Sequence, residues 1–599
     1  MDEDDHMVED DASDASSVTL DNLSIDNDPD RLYFLRENPR TTIPCFATIP
    51  REREIIDLTD EAKFHDGDYV TDECFEILRE EWNRSVRAAK PPERVAPRIP
   101  LEDVCVNGIV YMPGQSVELH TDTFLRIGSI WREPNGHILL EGRKLLRTKN
   151  HKYTYLPKGP VWRNELVWVG NWAFVVPLDL VRKFVPIHFT NYCHVNEDPN
   201  KVTHAADLFC RLKEILNLKT GATSVEYLRY EEADTEYRVV PRLLRHSWRG
   251  ETATFGSEEI PRVPVVVLDE IEHSEPLHPI LGPKDSRKYT FGDGFCGAGG
   301  VSCGAELAGL QITWAFDLSR HAADTYRLNF PTVECWTSDI FNFLTNDEWY
   351  LRVDVTHGSP PCQTFSPAHT IESANDDANS ACIFSCGNLI RKAKPRVHTM
   401  EETSGLYERH RDTFYRVIHD FIELGYSVRW ALLNCMEYGV PQSRKRLIII
   451  ASGPGETLPP MPQPTHGIPG SGLRDLATIN DTISNIPPGT LDHDVEGARI
   501  RGVQKYRPPF DPNQQARTIT CGGGENNYHP SGTRCFTNRE FACLQTFPLS
   551  FRFGPREVRK QIGNAVPPLL AKAIYGEIIR SLQQTDEREI RESMNASDP

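Results

Sequence analysis

The chain has 599 residues, 15 cysteines and a formal net charge of −20. A chain of this length exceeds what one hydrophobic core supports, so we expect two or three domains joined by linkers. No apolar run approaches the ~20 residues of a membrane-spanning helix and no signal peptide is visible, so we expect a soluble protein in a reducing, intracellular compartment. The cysteines form no CxxC pair, and Cys382 and Cys386 have no companion pair, which argues against a metal site.

The negative charge is concentrated at the N-terminus. Residues 1–30 contain twelve Asp and Glu and no Lys or Arg. Residues 1–45 include few large apolar side chains and cannot bury enough surface to offset the entropy of ordering, so we expect a disordered acidic tail. The rest of the chain is only mildly acidic and has local basic stretches, so a nucleic-acid partner is not excluded.

Residues 46–96 read as a linker that contains one short docking segment. The stretch REREIIDLTDE places Ile55, Ile56 and Leu58 beside acidic residues. This pattern resembles segments that add a strand to ubiquitin-like modifiers, which would then be a partner. A short strand that docks on the protein's own domain explains the pattern equally well.

Residues 97–265 alternate short apolar runs with turns, as in SVELHTDTFLRIGSIWRE and LVWVGNWAFVVPLDLV. Period-two alternation rich in Trp, Val and Ile predicts a mostly β domain. The order of its strands resembles a bromo-adjacent homology domain, a module of chromatin proteins. The resemblance implies a histone or another chromatin protein as a partner of the N-terminal half.

Residues 285–453 change to a rhythm of strand, Gly-rich turn, helix and strand, which predicts an α/β fold with a doubly wound, mostly parallel sheet of seven strands. Residues 454–513 follow as a small irregular region, because eighteen of these sixty residues are Pro or Gly. Residues 514–583 return to the α/β domain and include a last helix. For residues 584–599 we expect a second disordered tail.

The first predicted strand of the α/β domain leads into GDGFCGAGG, Gly292–Gly300, which is followed by a predicted helix. Glycines at that position let backbone amides approach a ligand at the positive end of the helix. Asp317 ends the second strand, from which a carboxylate can accept hydrogen bonds from ribose hydroxyls. Asp339 ends the third strand and could accept from an adenine amine, while Phe295 could stack on the adenine. The spacing therefore predicts a nucleoside-containing cofactor.

A cysteine stands in the turn after a later strand, in DVTHGSPPCQTFS. An inert, buried thiol is the usual state of a cysteine. Cys362, however, lies just beyond the carboxyl end of a predicted strand, where ligands bind in open α/β sheets.

These motifs, followed in order by MEET, QSRKR and QIGNAVPP, resemble the cytosine-C5 DNA methyltransferase family over about residues 289–575. PPCQTFSPAHT and EET are most similar to its fungal branch associated with repeat-induced point mutation and premeiotic methylation. The resemblance implies the class I methyltransferase fold, S-adenosylmethionine as cofactor and double-stranded DNA as substrate. It also implies a nuclear protein that acts in genome-defence silencing.

The resemblance carries site residues with it. It implies that the Cys362 thiolate adds to cytosine C6, that Glu401 shares a proton with N3, and that Arg446 contacts O2. The implied catalytic set is Cys362, Glu401, Arg446, Arg444 and Gln363. The implied cofactor contacts are Phe295, Cys296, Gly297, Gly299, Gly300, Asp317, Leu318, Asp339, Ile340, Pro361, Asn564 and Val566. The expected DNA contacts are Ser366, Gln442, Arg499, Arg501, Lys505, Arg507 and Arg517.

The motif after the catalytic acid departs from the family. Glu402 and Thr403 stand where most members have Asn and Val, and an ionised carboxylate can only accept hydrogen bonds whereas an amide also donates. The departure leaves open a chromatin-binding scaffold with a weakly active or inactive catalytic half. Two further alternatives are an enzyme whose cytosine adduct promotes deamination, so that repeats mutate from C to T, and an RNA substrate.

Overall fold

The N-terminal part of the described chain is built mostly from antiparallel strands. The computed structural model describes residues 98–151, 154–156, 164–193, 208–217, 220–250, 289–345, 351–361, 365, 381–502, 507–521 and 527–597. The acidic tail, the linker and the Ile55–Leu58 segment lie outside these residues. The described residues from 98 to 250, here called the front domain, contain strands β1 to β11 and helix α1: Ile99–Leu101, Val104–Val106, Ile109–Tyr111, Ser116–Leu119, Phe124–Arg132, Ile138–Arg147, Glu165–Pro177, Val181–Phe184, Ile187–Phe189, Leu208–Leu216, Thr223–Tyr227 and Pro241–Arg249. Strand β10 runs parallel to β7 and β9.

The described residues from 289 onward, here called the catalytic half, alternate strands with helices. Strands β12 to β22 are Thr290–Gly294, Gln311–Asp317, Glu334–Thr337, Val355–Gly358, Val397–Thr403, Ser427–Asn434, Gln442–Ser443, Lys445–Ser452, His466–Gly467, Arg474–Asp475 and Ala516–Arg517. Helices α2 to α12 are Gly300–Ala308, Arg320–Asn329, Ile340–Thr345, Ser385–Ala393, Ser404–Arg409, Arg411–Glu423, Ile479–Ile483, Val495–Gly502, Asn538–Leu544, Val558–Asn564 and Pro568–Ser597. The α/β class predicted from the sequence is confirmed.

The strands of the catalytic half lie in the order β14-β13-β12-β15-β16-β19-β17. The first five are parallel, while β19 runs antiparallel to both of its neighbours. Every residue of β15 and β16 is buried, as expected for central strands that are covered by helices on both faces. Because the five strands β12 to β16 run in the same direction, their carboxyl ends lie at one edge of the sheet.

The sheet does not end at β17. Strand β11 of the front domain pairs antiparallel with β17, and β10 and β7 continue the same sheet. At this junction the Tyr227 hydroxyl donates to the Ile422 carbonyl (2.8 Å), and Arg429 pairs with Glu226 at 2.9 Å. The two halves therefore share one hydrogen-bonded sheet and one hydrophobic cluster, to which Val225 and Val428 both contribute.

The last helix corrects the prediction of a disordered tail after residue 583. Helix α12 continues to Ser597. Its second half is anchored by charge, because Asp586 accepts hydrogen bonds from Tyr289 (2.8 Å) and Arg396 (2.7 Å), and Glu589 pairs with Arg245 at 2.8 Å. The polar composition that indicated disorder is instead the composition of a helix held by buried arginines. In the described part of the chain, no helix has the length and apolar character that crossing a membrane would require.

Candidate active site

The glycine-rich turn and the start of the cysteine-bearing turn lie side by side. Gly294 at the end of β12 is the register partner of Gly358 at the end of β15, and Gly358 is the partner of Met400 on β16. The Ser359 amide donates to the Gly294 carbonyl (3.4 Å). The residues that follow these three strands therefore face a common cleft, the place where open α/β sheets bind their ligands.

The glycine-rich turn contains the left-handed backbone conformations that favour glycine. Phe295, Gly297 and Gly299 all have positive φ, of 59°, 54° and 96°. A Cβ on Gly297 would meet no described residue within 4 Å, so this side of the turn is open to a ligand, whereas a Cβ on Gly299 would collide with the Phe330 ring. Helix α2 begins at Gly300 and directs its amide end at the same space.

Asp317 lies against this turn. Its two carboxylate oxygens accept from the amides of Gly297 (2.9 Å) and Ser319 (2.7 Å). Burial raises the Asp317 pKa, and these two hydrogen bonds oppose the rise. A carboxylate can accept about four hydrogen bonds, so capacity remains for a ligand hydroxyl. Leu318, next in the chain, has 72% of its surface exposed, so its apolar side chain is available to contact a ligand.

Asp339 and Ile340 follow the adjacent strand β14. Asp339 accepts from the Asn342 amide (2.9 Å) and so caps helix α4. The Ile340 side chain is buried in a cluster that includes Phe343 and, at its edge, Phe295. Cys296 is also buried, and its thiol hydrogen-bonds with Cys335. These four positions surround the turn, but the Ile340 and Cys296 side chains contact the core.

The QIGNAVPP segment packs against the start of helix α2. The Val566 carbonyl and the Ala565 side chain lie so close to Gly300 that a Cβ at this glycine would overlap the carbonyl. Asn564 is exposed and accepts from the Cys521 thiol at 2.6 Å. The structure thus brings the first and last predicted cofactor motifs together, although about 265 residues separate them in the chain.

Glu401 and Arg446 form an ion pair at the end of β16. Arg446 Nε lies 2.6 Å from Glu401 Oε1, and both side chains are largely buried. Glu401 is paired in register with Ile448 on β19, so the two charged groups are diagonal neighbours on one face of the sheet. A guanidinium held at this distance fixes the position of the carboxylate.

Glu402 is fully buried on the other face of β16. Its Oε2 accepts from the Thr403 amide (3.1 Å), and its Oε1 has no hydrogen-bond partner among the described residues. Burial raises the Glu402 pKa well above its ordinary value, and the neighbouring Glu401 charge raises it further.

Two residues predicted in the site have internal partners instead. Gln442, predicted to contact DNA, is fully buried; it donates to the Leu544 carbonyl (3.0 Å) and accepts from the Ile519 amide (3.1 Å). That prediction is wrong, because its amide is occupied by the fold. Arg444 is also buried and donates to the carbonyls of Ile519 and Gly563 at 3.1 Å. Arg444 therefore joins two parts of the catalytic half, and a contact with the base stays a prediction.

The remaining predicted residues divide into described and undescribed positions. Cys362, Gln363, Ser366 and Lys505 lie outside the described residues, and Arg501 is described only as part of helix α9. Pro361 is half-buried at the entrance of the cysteine-bearing turn. Arg499 is exposed and pairs with Glu496 (3.0 Å), Arg507 lies over the Tyr528 ring (5.3 Å), and Arg517 is exposed on β22.

Asp293 was not predicted as a functional residue. It is fully buried at the end of β12, and its Oδ2 accepts from the Ser302 hydroxyl (2.6 Å), which in turn contacts the Tyr326 hydroxyl (2.7 Å). Its Oδ1 has no hydrogen-bond partner within the described ranges, and burial raises the Asp293 pKa to about 7. The signal available in the sequence was an acid inside an apolar strand, just before the glycine-rich turn.

The comparisons with known proteins concern the catalytic half. A model of the C-5 cytosine-specific DNA methylase family matches residues 289–501 and 489–580. The Type II methyltransferase M.NgoFVII of Neisseria gonorrhoeae is 32% identical over 322 residues, which cover 47% of this chain and 84% of that protein. The Type II methyltransferase M.AplI of Arthrospira platensis is 32% identical over 313 residues, covering 49% and 87% of the two chains.

Among solved structures, the S. pombe Dnmt2 methyltransferase is 18% identical, covers 50% of this chain and 99% of its own, and has a TM-score of 0.36. The described residues contain no cluster of His, Cys, Asp and Glu that could hold a metal ion. With relatives 32% identical over more than four fifths of their length, the chain belongs to the C-5 cytosine-specific DNA methylase family, enzymes that methylate cytosine in DNA with S-adenosylmethionine as the methyl donor.

Proposed function

We propose that this chain methylates C5 of a cytosine flipped out of double-stranded DNA, through a covalent bond between Cys362 and C6. The observation that carries the proposal is the Glu401–Arg446 ion pair, at the same sheet edge as the glycine-rich turn. A nucleoside cofactor site and a fixed acid are two of the parts that this chemistry requires within one cleft, beside the nucleophile.

The reaction needs a nucleophile because cytosine C5 alone is weakly nucleophilic. The Cys362 thiolate adds to C6, and Glu401 holds a proton at N3 as the ring gains electrons. Arg446 keeps Glu401 in place and would contact O2 of the flipped base. After the methyl group arrives at C5, loss of the C5 proton and departure of the thiolate from C6 restore the aromatic ring.

The described residues fit S-adenosylmethionine. Gly297 leaves open space beside the amide end of α2, Asp317 retains hydrogen-bonding capacity for ribose hydroxyls, and Leu318 offers an exposed apolar surface. Phe295 and Asp339 border the same space and would contact the adenine. When bound there, the cofactor supplies the methyl group.

DNA binding would use the irregular region between β19 and α10. Arg499, Arg507 and Arg517 belong to it and are suited to phosphate contacts, which position a duplex without reading its sequence. Extruding the base costs a few kcal/mol of unstacking, and these phosphate contacts would offset part of that cost.

For the front domain we propose a chromatin partner, a nuclear location and a role in genome-defence silencing of the kind associated with the fungal branch. A cleft of about 600 Å³ in this domain is lined by Phe184, His188, Glu236 and Tyr237, among others. Aromatic faces beside a carboxylate suit a basic peptide such as a histone tail. We also propose that the segment with Ile55, Ile56 and Leu58 binds a ubiquitin-like modifier. Ile56→Ala and Leu58→Ala should then abolish that binding.

The covalent step is tested with duplex DNA that carries 5-fluorocytosine, together with S-adenosylmethionine. Fluorine cannot leave as a proton does, so we expect a stable protein–DNA adduct with the wild type and none with Cys362→Ala. Cys105→Ala, an exposed cysteine of the front domain, should form the adduct normally. Absence of the adduct across varied DNA sequences, with cofactor binding intact, would overturn the proposal in favour of a chromatin-binding scaffold.

A further inference from the structure

Two consecutive acids on β16 lie in opposite environments. Side chains alternate along a strand, so Glu401 and Glu402 point to opposite faces of the sheet. Glu401 faces Arg446, whose Nε is 2.6 Å away. Glu402 lies on the face of Met400 and of Leu447, its register partner on β19, and both of these residues belong to the largest hydrophobic cluster of the fold.

The surroundings of Glu402 do not support a charge. It is fully buried, one oxygen accepts a single amide hydrogen bond from Thr403, and the other oxygen has no partner in the part of the chain that the structure describes. An isolated carboxylate in such a setting would cost several kcal/mol, so the group takes up a proton instead.

The charged and titratable groups that act on Glu402 come from three elements. Glu401 on the same strand opposes its ionisation, and Arg446 on β19 favours it more weakly. Cys386 on helix α5 is a thiol whose pKa is raised by burial, so it is uncharged at neutral pH. Arg446 is already engaged by Glu401, so no cation in the described part of the chain is free to neutralise Glu402.

We propose that Glu402 is a positioning residue that acts as an uncharged carboxylic acid. Because it carries no charge, it does not compete with Glu401 for the Arg446 guanidinium, and Glu401 is the one negatively charged group of the two. A protonated carboxyl group both donates and accepts hydrogen bonds, as a side-chain amide does. Glu402 thereby fills an amide position without its charge disturbing the site. This inference rests on the proposed function for its meaning in catalysis, but the protonation state itself does not.

The protonation state can be measured directly. The infrared difference spectrum of wild type minus Glu402→Gln at neutral pH should contain the carbonyl band of a protonated carboxylic acid, because all other acids cancel. Glu402→Met, which has a similar length and no titratable group, gives the same subtraction if the glutamine variant does not fold. Absence of the band from the subtraction overturns the inference.

The consequence for the site is measured by adduct formation with 5-fluorocytosine DNA as the pH is raised. Wild type should lose rate once Glu402 ionises, so the ratio of the Glu402→Gln rate to the wild-type rate should rise by up to about tenfold per pH unit. The matched control is Glu408→Gln, an exposed acid on the following helix, for which the ratio stays constant. A constant ratio for Glu402→Gln overturns the positioning role.

The two experiments separate this inference from the proposed function. An acid band without an adduct in any variant supports an uncharged Glu402 and overturns the proposed catalysis. An adduct without the band supports the catalysis and overturns the inference.

Discussion

Arg446 Nε lies 2.6 Å from Glu401 Oε1, across two antiparallel strands at the edge of the cleft. The pair is diagonal rather than directly opposed, because the register partner of Glu401 is Ile448 and that of Arg446 is Thr403. Glu401 is thereby held at the carboxyl end of β16, next to the strand that leads into the cysteine-bearing turn. The relationship gives this acid a fixed position before any substrate binds.

Glu401→Gln should slow methyl transfer to DNA by about 10²–10⁴-fold, because glutamine keeps the shape but cannot hold the proton at N3. Cofactor binding, measured by calorimetry, should be unchanged, since the glycine-rich turn and Asp317 are not altered. Glu408→Gln on helix α6 serves as the control and should retain activity. An unchanged turnover in Glu401→Gln would contradict the role given to this acid.

The close packing of α2 against α12 makes a second prediction. A Cβ on Gly304 would come within 2.5 Å of both the Pro568 carbonyl and the Ala571 side chain. Gly304→Ala should therefore lower the free energy of unfolding by about 1–3 kcal/mol, as overpacked sites do. Gly576→Ala, in α12 itself, meets nothing within 4 Å and should raise it by about 0.5–1 kcal/mol through helix propensity. Chemical denaturation measures both, and equal effects of the two substitutions would contradict the packing.

The elements that sequence reasoning located well are those with a local signal. Asp317 was predicted to end a strand, and it does so, because that strand spans Gln311–Asp317. The glycine-rich turn was recognisable because positive φ at Gly297 and Gly299 demands glycine. These features depend on neighbouring residues, so a single sequence contains them.

Features that depend on distant partners were missed. Gln442 was expected to contact DNA because its motif resembles that of the family, yet Leu544 and Ile519, remote in the chain, occupy its amide. The polar end of α12 resembled a tail because its anchors, Arg245 and Arg396, lie 344 and 190 residues before their partners Glu589 and Asp586. Long-range pairing of polar groups has no periodic signature, and therefore sequence patterns do not reveal it.

Asp293 should make the free energy of unfolding depend on pH between its ordinary pKa of 3.8 and its folded-state pKa of about 7. Burial, together with the nearby Asp317 charge, raises its folded-state pKa to about 7, while its ordinary value is 3.8. Between these values the folded state binds a proton that the unfolded state does not. The free energy of unfolding should then fall as pH rises, by up to about 1.4 kcal/mol per unit, and level off above about 7.

Asp293→Asn should remove that fall, because asparagine stays uncharged and can still accept from Ser302. The measurement is urea denaturation at several pH values between 4 and 8. Asp324→Asn, an exposed acid on α3, should leave the slope unchanged. The same slope in wild type and Asp293→Asn would show that this carboxyl is not the group that titrates.

The shared sheet predicts that the front domain and the catalytic half unfold together. Strand β11 covers the edge of β17, and Val225 on β11 is fully buried in a cluster that also contains Trp430 of the catalytic half. Calorimetry should therefore show one transition for both halves. Val225→Ala should lower the free energy of unfolding by about 2 kcal/mol and shift that whole transition, since two methyl groups leave the common core. Val110→Ala, at an exposed position of the front domain, should shift it little. Two separate transitions, with Val225→Ala affecting only the earlier one, would mean that the strand pairing does not couple the halves.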